Sequence, residues 1–400
     1  MDVPEADHPT PESAGAEAVA PKPKGWRPLL IAVLQPLLIL AAAYTLWAKL
    51  DQLAARRLAA AIAATDRIDP GWRLGDLMAA RETVPDDENA ALIVARVVAM
   101  LPEYWRAPSA SQLGRTWPPS EVGQALGRLA SLKAAVRMDD ATADVVRDEL
   151  AAHADAVDLA RTVAGYDRGR HEVEIPPNLF DIHTRETYEA RAVGRLLAAD
   201  AAIRAQDGDV DGALESCRAI LGVGRSIGDE PNMLSTLVRV AVVGDATDAA
   251  RRALAQGEPS DEALAALQAA LLRESPHALL VQGLRSERAI RDEAVRRVRD
   301  AEIPIPAAGG KPPGDRPDTF PKWAAFTLDN MRAADLESMN ELISIARDPR
   351  PRRAKAWEAW QARAVRSKRP WLGPLGPVLA GLTAGSESAL TSTENAMTRY

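Results

Sequence analysis

Hydrophobic and polar positions divide this chain into one apolar run, followed by a long series of amphipathic segments. Residues 29–48 are almost entirely apolar. As a helix rising about 1.5 Å per residue, they would cross the roughly 30 Å hydrocarbon core of a bilayer. Trp26, Tyr44 and Trp47 mark the two ends, where interfacial aromatic residues concentrate. The pattern predicts a transmembrane anchor that continues as a stalk helix over residues 26–68, with the lipid bilayer as a partner.

A cleaved signal peptide is the alternative interpretation, since Ala41, Ala42 and Ala43 could form a small-residue cleavage site. The long acidic stretch that precedes the run argues against it, and residues 1–25 are predicted to be a disordered tail. Basic residues flank both ends of the run equally, so they do not decide its orientation. A short N-terminal tail usually stays in the cytoplasm. We therefore predict a single-pass protein of the inner (cytoplasmic) membrane with its body on the periplasmic side.

Beyond the anchor, apolar residues recur mainly with the helical period of 3.6. The clearest unit is an αα-hairpin whose turn contains Gly208, and it resembles one tetratricopeptide repeat. Other predicted helices cover residues 86–101, about 141–163, a segment opened by Asp229-Glu230-Pro231, and two capped by Ser260 and Ser275. Residues 171–177 alone alternate like a strand. The fold class predicted is all-α: an N-terminal transmembrane helix followed by a helical bundle or a tetratricopeptide-like array.

Proline and glycine content divides the body further. Residues 69–302 are predicted to be the main α-helical domain, 303–321 a Pro/Gly-rich linker and 322–400 a C-terminal helical region. Composition supports this fold class, with 47% hydrophobic but only 4% aromatic residues. The net charge of -7 argues against a nucleic-acid partner. Cys217 is the only cysteine and lies on an apolar stripe, which predicts a buried, unreactive thiol.

The glycine-rich segment 222–228 matches both a dinucleotide-binding pattern and the Gly-x-Ser-x-Gly pattern of a hydrolase. Both patterns need a strand immediately before them, whereas a helical stripe precedes this segment. The glycines are therefore predicted to close one helix before the next begins. In the alternative, a hydrolase whose site assembles only in the fold, Ser226 would be the nucleophile and His277 the base.

Six potential metal ligands lie between residues 171 and 186: His171, Glu172, Glu174, Asp181, His183 and Glu186. Their spacing does not form the close ligand pairs of zinc sites, so a solvated loop is predicted. We predict no catalytic residue, cofactor or metal.

Residues 351–369 divide sharply into two faces at the helical period. Trp357 and Trp360 share one face. The opposite face is basic and consists of Arg352, Lys355, Arg363, Arg366 and Arg369. A helix lying on a membrane surface would show this pattern, and so would a helix packed on the body with its basic groups in water. Both interpretations stay open at this point.

Several short motifs resemble one protein family. They are residues 69–74, 85–91, 192–197 and 224–231, together with Gly208-Asp209. In composition and spacing they are similar to membrane-anchored, planctomycete-type bacterial proteins of unknown function. The resemblance implies an envelope protein and no particular activity. With no strong catalytic motif, we predict an envelope scaffold or protein-interaction module that binds a protein partner.

Overall fold

The computed structural model describes residues 26–106, 121–179, 185–304, 320–348 and 350–366. These residues form helices and turns, and within these ranges there is no β-strand, only one isolated bridge between Asn89 and Arg168. The all-α prediction is confirmed. In chain order the helices are α1 (Trp26–Ile68), α2 (Leu74–Ala79), α3 (Ala90–Met100), α4 (Glu121–Ser131), α5 (Asp140–Ala152), α6 (Ala154–Arg161), α7 (Arg185–Gln206), α8 (Val210–Ser226), α9 (Met233–Gln256), α10 (Asp261–Leu272), α11 (Pro276–Arg299), α12 (Ala325–Arg347) and α13 (Arg350–Arg366).

Helix α1 contains the apolar run. Among the described residues, its Val33–Ile68 stretch is the one helix long and apolar enough to cross a membrane, with a window of mean hydropathy 1.5. None of that window is buried against the rest of the protein. Pro36 lies inside the helix, as is tolerated in membrane spans. The chain divides into two compact units at this helix, the first ending at Leu53 and the second starting at Ala54.

Within the second unit, the end of α1 is part of the body. Leu58 and Ala61 are buried in a cluster with Trp72 and with Ala333 and Leu336 of α12. Below this contact, Arg57 forms an ion pair of 2.6 Å with Glu337. The residues predicted as a free stalk therefore contribute, from Ala54 onward, to the hydrophobic core.

Helices α7, α8 and α9 form the centre of the main core. The predicted αα-hairpin is confirmed as α7 and α8, which are separated by a three-residue turn. Gly208 has a φ of +87°, which a residue with a side chain rarely adopts. Asp209 then caps α8, because its carboxylate accepts a 3.0 Å hydrogen bond from the Gly212 amide. The predicted caps Ser260 and Ser275 are confirmed at α10 and α11.

Four local predictions are wrong. The helix predicted over 141–163 breaks at His153, which has φ -120° and ψ 29° and separates α5 from α6. Tyr104 holds this break from outside, with its hydroxyl 2.8 Å from Glu149 Oε1 and 3.3 Å from His153 Nε2. Helix α9 starts at Met233 behind Asn232 rather than at Pro231.

The other two corrections concern extended backbone and one early helix. The strand-like residues 171–177 form no strand, because among the described residues no neighbouring strand pairs with them. The helix predicted from Asp86 begins instead at Ala90, after a single 3-10 turn at Asp86–Glu88. Asn89 caps it by accepting a 3.1 Å hydrogen bond from the Ala91 amide.

The C-terminal helices pack on the main body. Helix α12 lies along α11, and Val298, Ile303 and Leu328 form a shared buried cluster. Ile303 therefore belongs to the core, although the predicted linker begins at this residue. The rest of that linker, residues 305–319, lies outside the described residues.

Candidate functional site

A pocket lies between α4, α7 and α9. It has a volume of about 510 Å³, within the usual range for small-molecule sites. Its walls are mostly apolar, with Leu126 and Leu129 from α4 facing Ala198 and Ala202 from α7. Because these side chains are short, they leave open space where three helices meet.

Charged side chains enter this pocket from two helices. Arg191 and Arg195 lie one turn apart on α7, so their side chains project from the same face. Asp245 and Asp248 line the opposite wall from α9. Asp248 forms a 3.4 Å ion pair with Arg251, and Asp245 interacts electrostatically with both α7 arginines.

Burial shifts the pKa values of Arg195 and Asp245 in this pocket. It lowers the pKa of Arg195 to about 10, and the neighbouring positive charge of Arg191 acts in the same direction. Burial likewise raises the pKa of Asp245, although both arginines oppose that rise. Arg191 Nε is buried and has no hydrogen-bond partner within the described residues. The pocket thus holds cationic groups in an environment that solvates them poorly.

Arg252 has a structural role at the pocket, because its guanidinium is bonded to backbone carbonyls. Its guanidinium donates hydrogen bonds to the carbonyls of Leu132 at 2.8 Å and Val136 at 3.2 Å, just beyond the end of α4. Unpaired carbonyls at a helix C-terminus are often satisfied by a basic side chain in this way. Burial lowers the pKa of Arg252, whose role in the pocket is to fix α4 against α9.

Most other buried arginines of the body have a carboxylate partner. Arg225 bonds to Glu274 at 3.0 Å, and Arg332 bonds to Asp292 at 3.0 Å. Arg161 pairs with Asp200 between α6 and α7. These pairs connect one helix to another, so their charges are compensated within the fold. Arg191 differs from them, because its buried Nε has no hydrogen-bond partner within the described residues.

The glycine-rich segment 222–228 ends helix α8 and allows it to pack closely against its neighbours. Ser226 is the last residue of α8, is 0% exposed, and donates a 2.7 Å hydrogen bond to the Val223 carbonyl. A Cβ at Gly222 would lie 2.4 Å from the Val163 carbonyl oxygen, so this glycine permits close packing of α8. Gly228 has a φ of +70° and ends the following turn. His277 lies in the first turn of α11, where Arg353 contacts its Nδ1 at 3.1 Å.

One of the motifs that carry the family resemblance, residues 224–231, lines a second, smaller cavity of about 170 Å³ through Arg225, Gly228 and Asp229. Asn89 holds the loop at Arg170 from both sides, accepting from its amide at 2.8 Å and donating to its carbonyl at 3.1 Å. Arg81 pairs with Asp229 at 2.9 Å. A Cβ at Gly169 would lie 2.7 Å from the Ser226 Cα, so the loop fits only without a side chain there. The paired charges and close backbone contacts indicate a structural junction.

The predicted loop of metal ligands is only partly described, since Asp181 and His183 lie outside the described residues. Within those residues, no group of three His, Cys, Asp or Glu side chains could hold a metal ion. Burial lowers the pKa of His171, and the charge of Glu230 opposes this shift. Glu230 itself accepts hydrogen bonds from Thr187 at 2.9 Å and Ser235 at 2.5 Å.

Helix α13 packs on the body; the sequence had left open whether it does so or lies on a membrane surface. Trp357 and Trp360 are buried, stacked 5.1 Å apart, and belong to a cluster with Leu280 of α11 and Leu342 of α12. They cannot also lie at a membrane surface, because the body already covers them. Arg352 and Lys355 are exposed on the other side. The predicted membrane contacts Arg363, Arg366 and Arg369 have no described side chains.

Comparison with known protein families, with curated proteins and with solved structures gives no match for this chain. The functional argument therefore rests on the residues themselves. Sequence reasoning missed Arg191, Arg195 and Asp245 as site residues. Only one signal pointed to them: two arginines four residues apart on a helix that is otherwise rich in apolar residues.

Proposed function

We propose that this protein is a membrane-anchored scaffold whose helical body binds another protein. The observation that supports the proposal is the outer face of α3. This helix buries Val94, Val97 and Val98 in the core. Its opposite side is exposed and almost equally apolar, with Leu92 at 42% and Met100 at 44% exposure.

An exposed helix normally carries polar residues on its outer face. In α3, Arg96 is the one charged residue of the whole helix. Arg96 lies one turn from both Leu92 and Met100, and Ala95 and Ala99 leave shallow grooves beside this row on the exposed side. Grooves of this kind accept the ridges of a second helix. We therefore expect the partner to contribute an amphipathic helix whose apolar face covers Leu92 and Met100.

The test is photocrosslinking in native membranes from a benzoylphenylalanine placed at Leu92. We expect one reproducible protein adduct, which the second substitution Met100→Glu should remove because it places a charge on the same face. A matched probe at Glu262, an exposed residue of α10, should give no such adduct. Equal adducts from both positions, or an adduct that persists with Met100→Glu, would refute α3 as the binding face.

We also propose that the protein is single-pass in the inner membrane of a bacterial envelope, with its body in the periplasm. The apolar part of α1 supports this, since none of it is covered by the body. The full chain should fractionate with membranes and resist carbonate extraction. An alkaline phosphatase fusion after residue 302 should be active, whereas an inactive, well-expressed fusion would reverse the orientation. A mature N-terminus at Tyr44 would indicate a cleaved signal peptide instead.

Membership of the planctomycete-type envelope family remains part of this proposal and rests on the motif spacing. The hydrolase alternative has no supporting geometry at Ser226, whose hydroxyl is buried and bonded to its own helix. Fluorophosphonate labelling that disappears in Ser226→Ala would nevertheless restore it.

A further inference from the structure

The pocket between α4, α7 and α9 combines apolar walls with an arginine, Arg191, whose buried Nε has no hydrogen-bond partner within the described residues. We propose that it binds a small amphiphilic anion, with a carboxylate or phosphate group held by Arg191 and Arg195 and an apolar chain against the alanine and leucine side chains. This goes beyond the proposed scaffold function, because it concerns a small molecule and a different face of the body.

The first step of the argument is the state of Arg191. Its Nε is buried and has no hydrogen-bond partner within the described residues. A buried charged donor that lacks a partner is costly, and a bound anion would remove that cost. The guanidinium fork suits carboxylate and phosphate oxygens in particular, because it presents parallel N–H donors.

The second step is the charge balance of the pocket. Arg191 and Arg195 project from one face of α7 toward Asp245 on α9. Arg251 and Asp248 pair with each other at the same wall and add no net charge. Arg252 is occupied by the carbonyls of Leu132 and Val136. Four arginines and two aspartates line the pocket, so its lining carries a net positive charge, which favours an anion over a cation.

The third step is the size and lining of the cavity. At about 510 Å³, it has room for a ligand of roughly ten to fifteen non-hydrogen atoms. Leu126, Leu129 and Ala202 supply an apolar surface next to the arginines. A single alkyl chain of about ten carbons with an anionic head matches this arrangement of apolar and cationic groups.

The experiment is isothermal titration calorimetry on the full chain in phosphatidylcholine nanodiscs, with empty nanodiscs as the blank. The probes are decanoate, decyl phosphate, decanol and decyltrimethylammonium, which share a chain length and differ in the head group. We expect saturable binding of decanoate or decyl phosphate above the blank. The comparison between these two probes identifies which anion the site prefers. Binding of decanol as tight as that of the anions would refute the proposal, as would no binding of either anion.

Variants assign the binding to this pocket. Arg191→Gln should weaken decanoate binding about tenfold or more, since it removes a charge-assisted hydrogen bond. Arg191→Lys should retain part of the affinity, because the charge stays and the fork is lost. Arg185→Gln is the matched control on the same helix, at an exposed residue paired with Glu189 outside the pocket, and should leave binding unchanged.

Asp245→Asn tests the sign of the ligand charge. An anion should bind this variant at least as tightly as the wild type, because a repulsive carboxylate is removed. Loss of binding in Asp245→Asn, or preferential binding of decyltrimethylammonium, would show a cation site and overturn the proposal. Unchanged affinity in Arg191→Gln would overturn it as well. Circular dichroism of each variant verifies that the helical fold is intact.

Discussion

Two arginines, one buried and one exposed, contact the same tryptophan. Comparing their substitutions tests how much buried charge pairing contributes to the free energy of unfolding. Trp72 is buried, with the guanidinium carbon of Arg73 5.1 Å and that of Arg288 5.3 Å from its ring centroid. Arg288 is 0% exposed, whereas the Arg73 side chain is 51% exposed. We expect Arg288→Met to destabilise the protein strongly and Arg73→Met to have little effect.

The magnitude follows from the partners of each residue. Arg288 bonds to Asp69 and donates a 2.7 Å hydrogen bond to Asn340 of α12, so its loss leaves the buried Asp69 and the partly buried Asn340 each short of a partner. Breaking a buried ion pair costs roughly 3 to 5 kcal/mol. Asp69 keeps its 2.7 Å pair with Arg285, which places the expected loss near the lower limit, about 3 kcal/mol.

Arg73 provides the matched control. Its partner is Asp66, 2.7 Å away and 43% exposed. Exposed pairs of this kind contribute about 0 to 1 kcal/mol. Both variants keep an apolar side chain of similar length against Trp72, so the difference between them reports burial and pairing.

The assay is equilibrium unfolding in detergent, followed by far-ultraviolet circular dichroism, for the wild type and the two variants. The free energy of unfolding should fall by about 3 kcal/mol in Arg288→Met and by less than about 1 kcal/mol in Arg73→Met. Equal losses in the two variants would refute the reasoning, because the buried pairing would then contribute no more than an exposed one.

Three further predictions concern single sites. Gly222→Ala should destabilise the protein by about 1 to 3 kcal/mol in the same unfolding assay, since its Cβ would meet a backbone oxygen. Gly224→Ala should be neutral or stabilising by up to about 1 kcal/mol, because its Cβ has ordinary contacts; equal losses would contradict this. Cys217, whose pKa burial raises to about 12, should resist iodoacetamide at neutral pH until the protein is denatured. Burial favours the neutral form of Asp69, but hydrogen bonds from Arg285 and Arg288 outweigh it and lower its pKa. Its stabilising effect should therefore be complete above the usual pKa of 3.8 and be lost as the pH falls through the lower folded value, so the stability gap to Asp69→Asn should close in acid.

The helices could be predicted because their signals are local. Caps such as Ser260 and the turn glycine Gly208 act within a few residues, and the structure has both where the sequence indicates them. The break at His153 gave no such signal, since Tyr104, about fifty residues earlier in the chain, holds it from outside. Periodicity also divides α13 into two faces correctly. It cannot say whether the tryptophan face meets lipid or protein, because both surroundings are apolar.

The candidate site was harder to predict for a related physical reason. Arg191 and Arg195 look on a helical wheel like ordinary surface arginines, since sequence spacing records direction and not depth. Their environment depends on α4 and α9, which approach α7 from distant parts of the chain. Whether a charged side chain has an oppositely charged partner therefore depends on how these three helices pack together. The same limit applies to Arg288, whose partner Asp69 precedes it by 219 residues.

The course of α1 shows how one continuous helix can serve two environments. Leu40 and Leu46 are exposed on a stretch that is apolar on all sides, as a lipid-facing segment requires. From Ala54 the pattern becomes amphipathic, with Leu58 and Ala61 buried and Arg57 paired with Glu337. If the apolar run is the proposed membrane anchor, the change from an all-apolar to a one-sided pattern marks where the hydrophobic partner of the helix becomes protein instead of lipid. A truncated chain that begins at Asp69 would lose the contacts of Leu58, Ala61 and Arg57 with the body. A truncated chain that is to fold as a soluble body therefore has to begin at Ala54 or earlier.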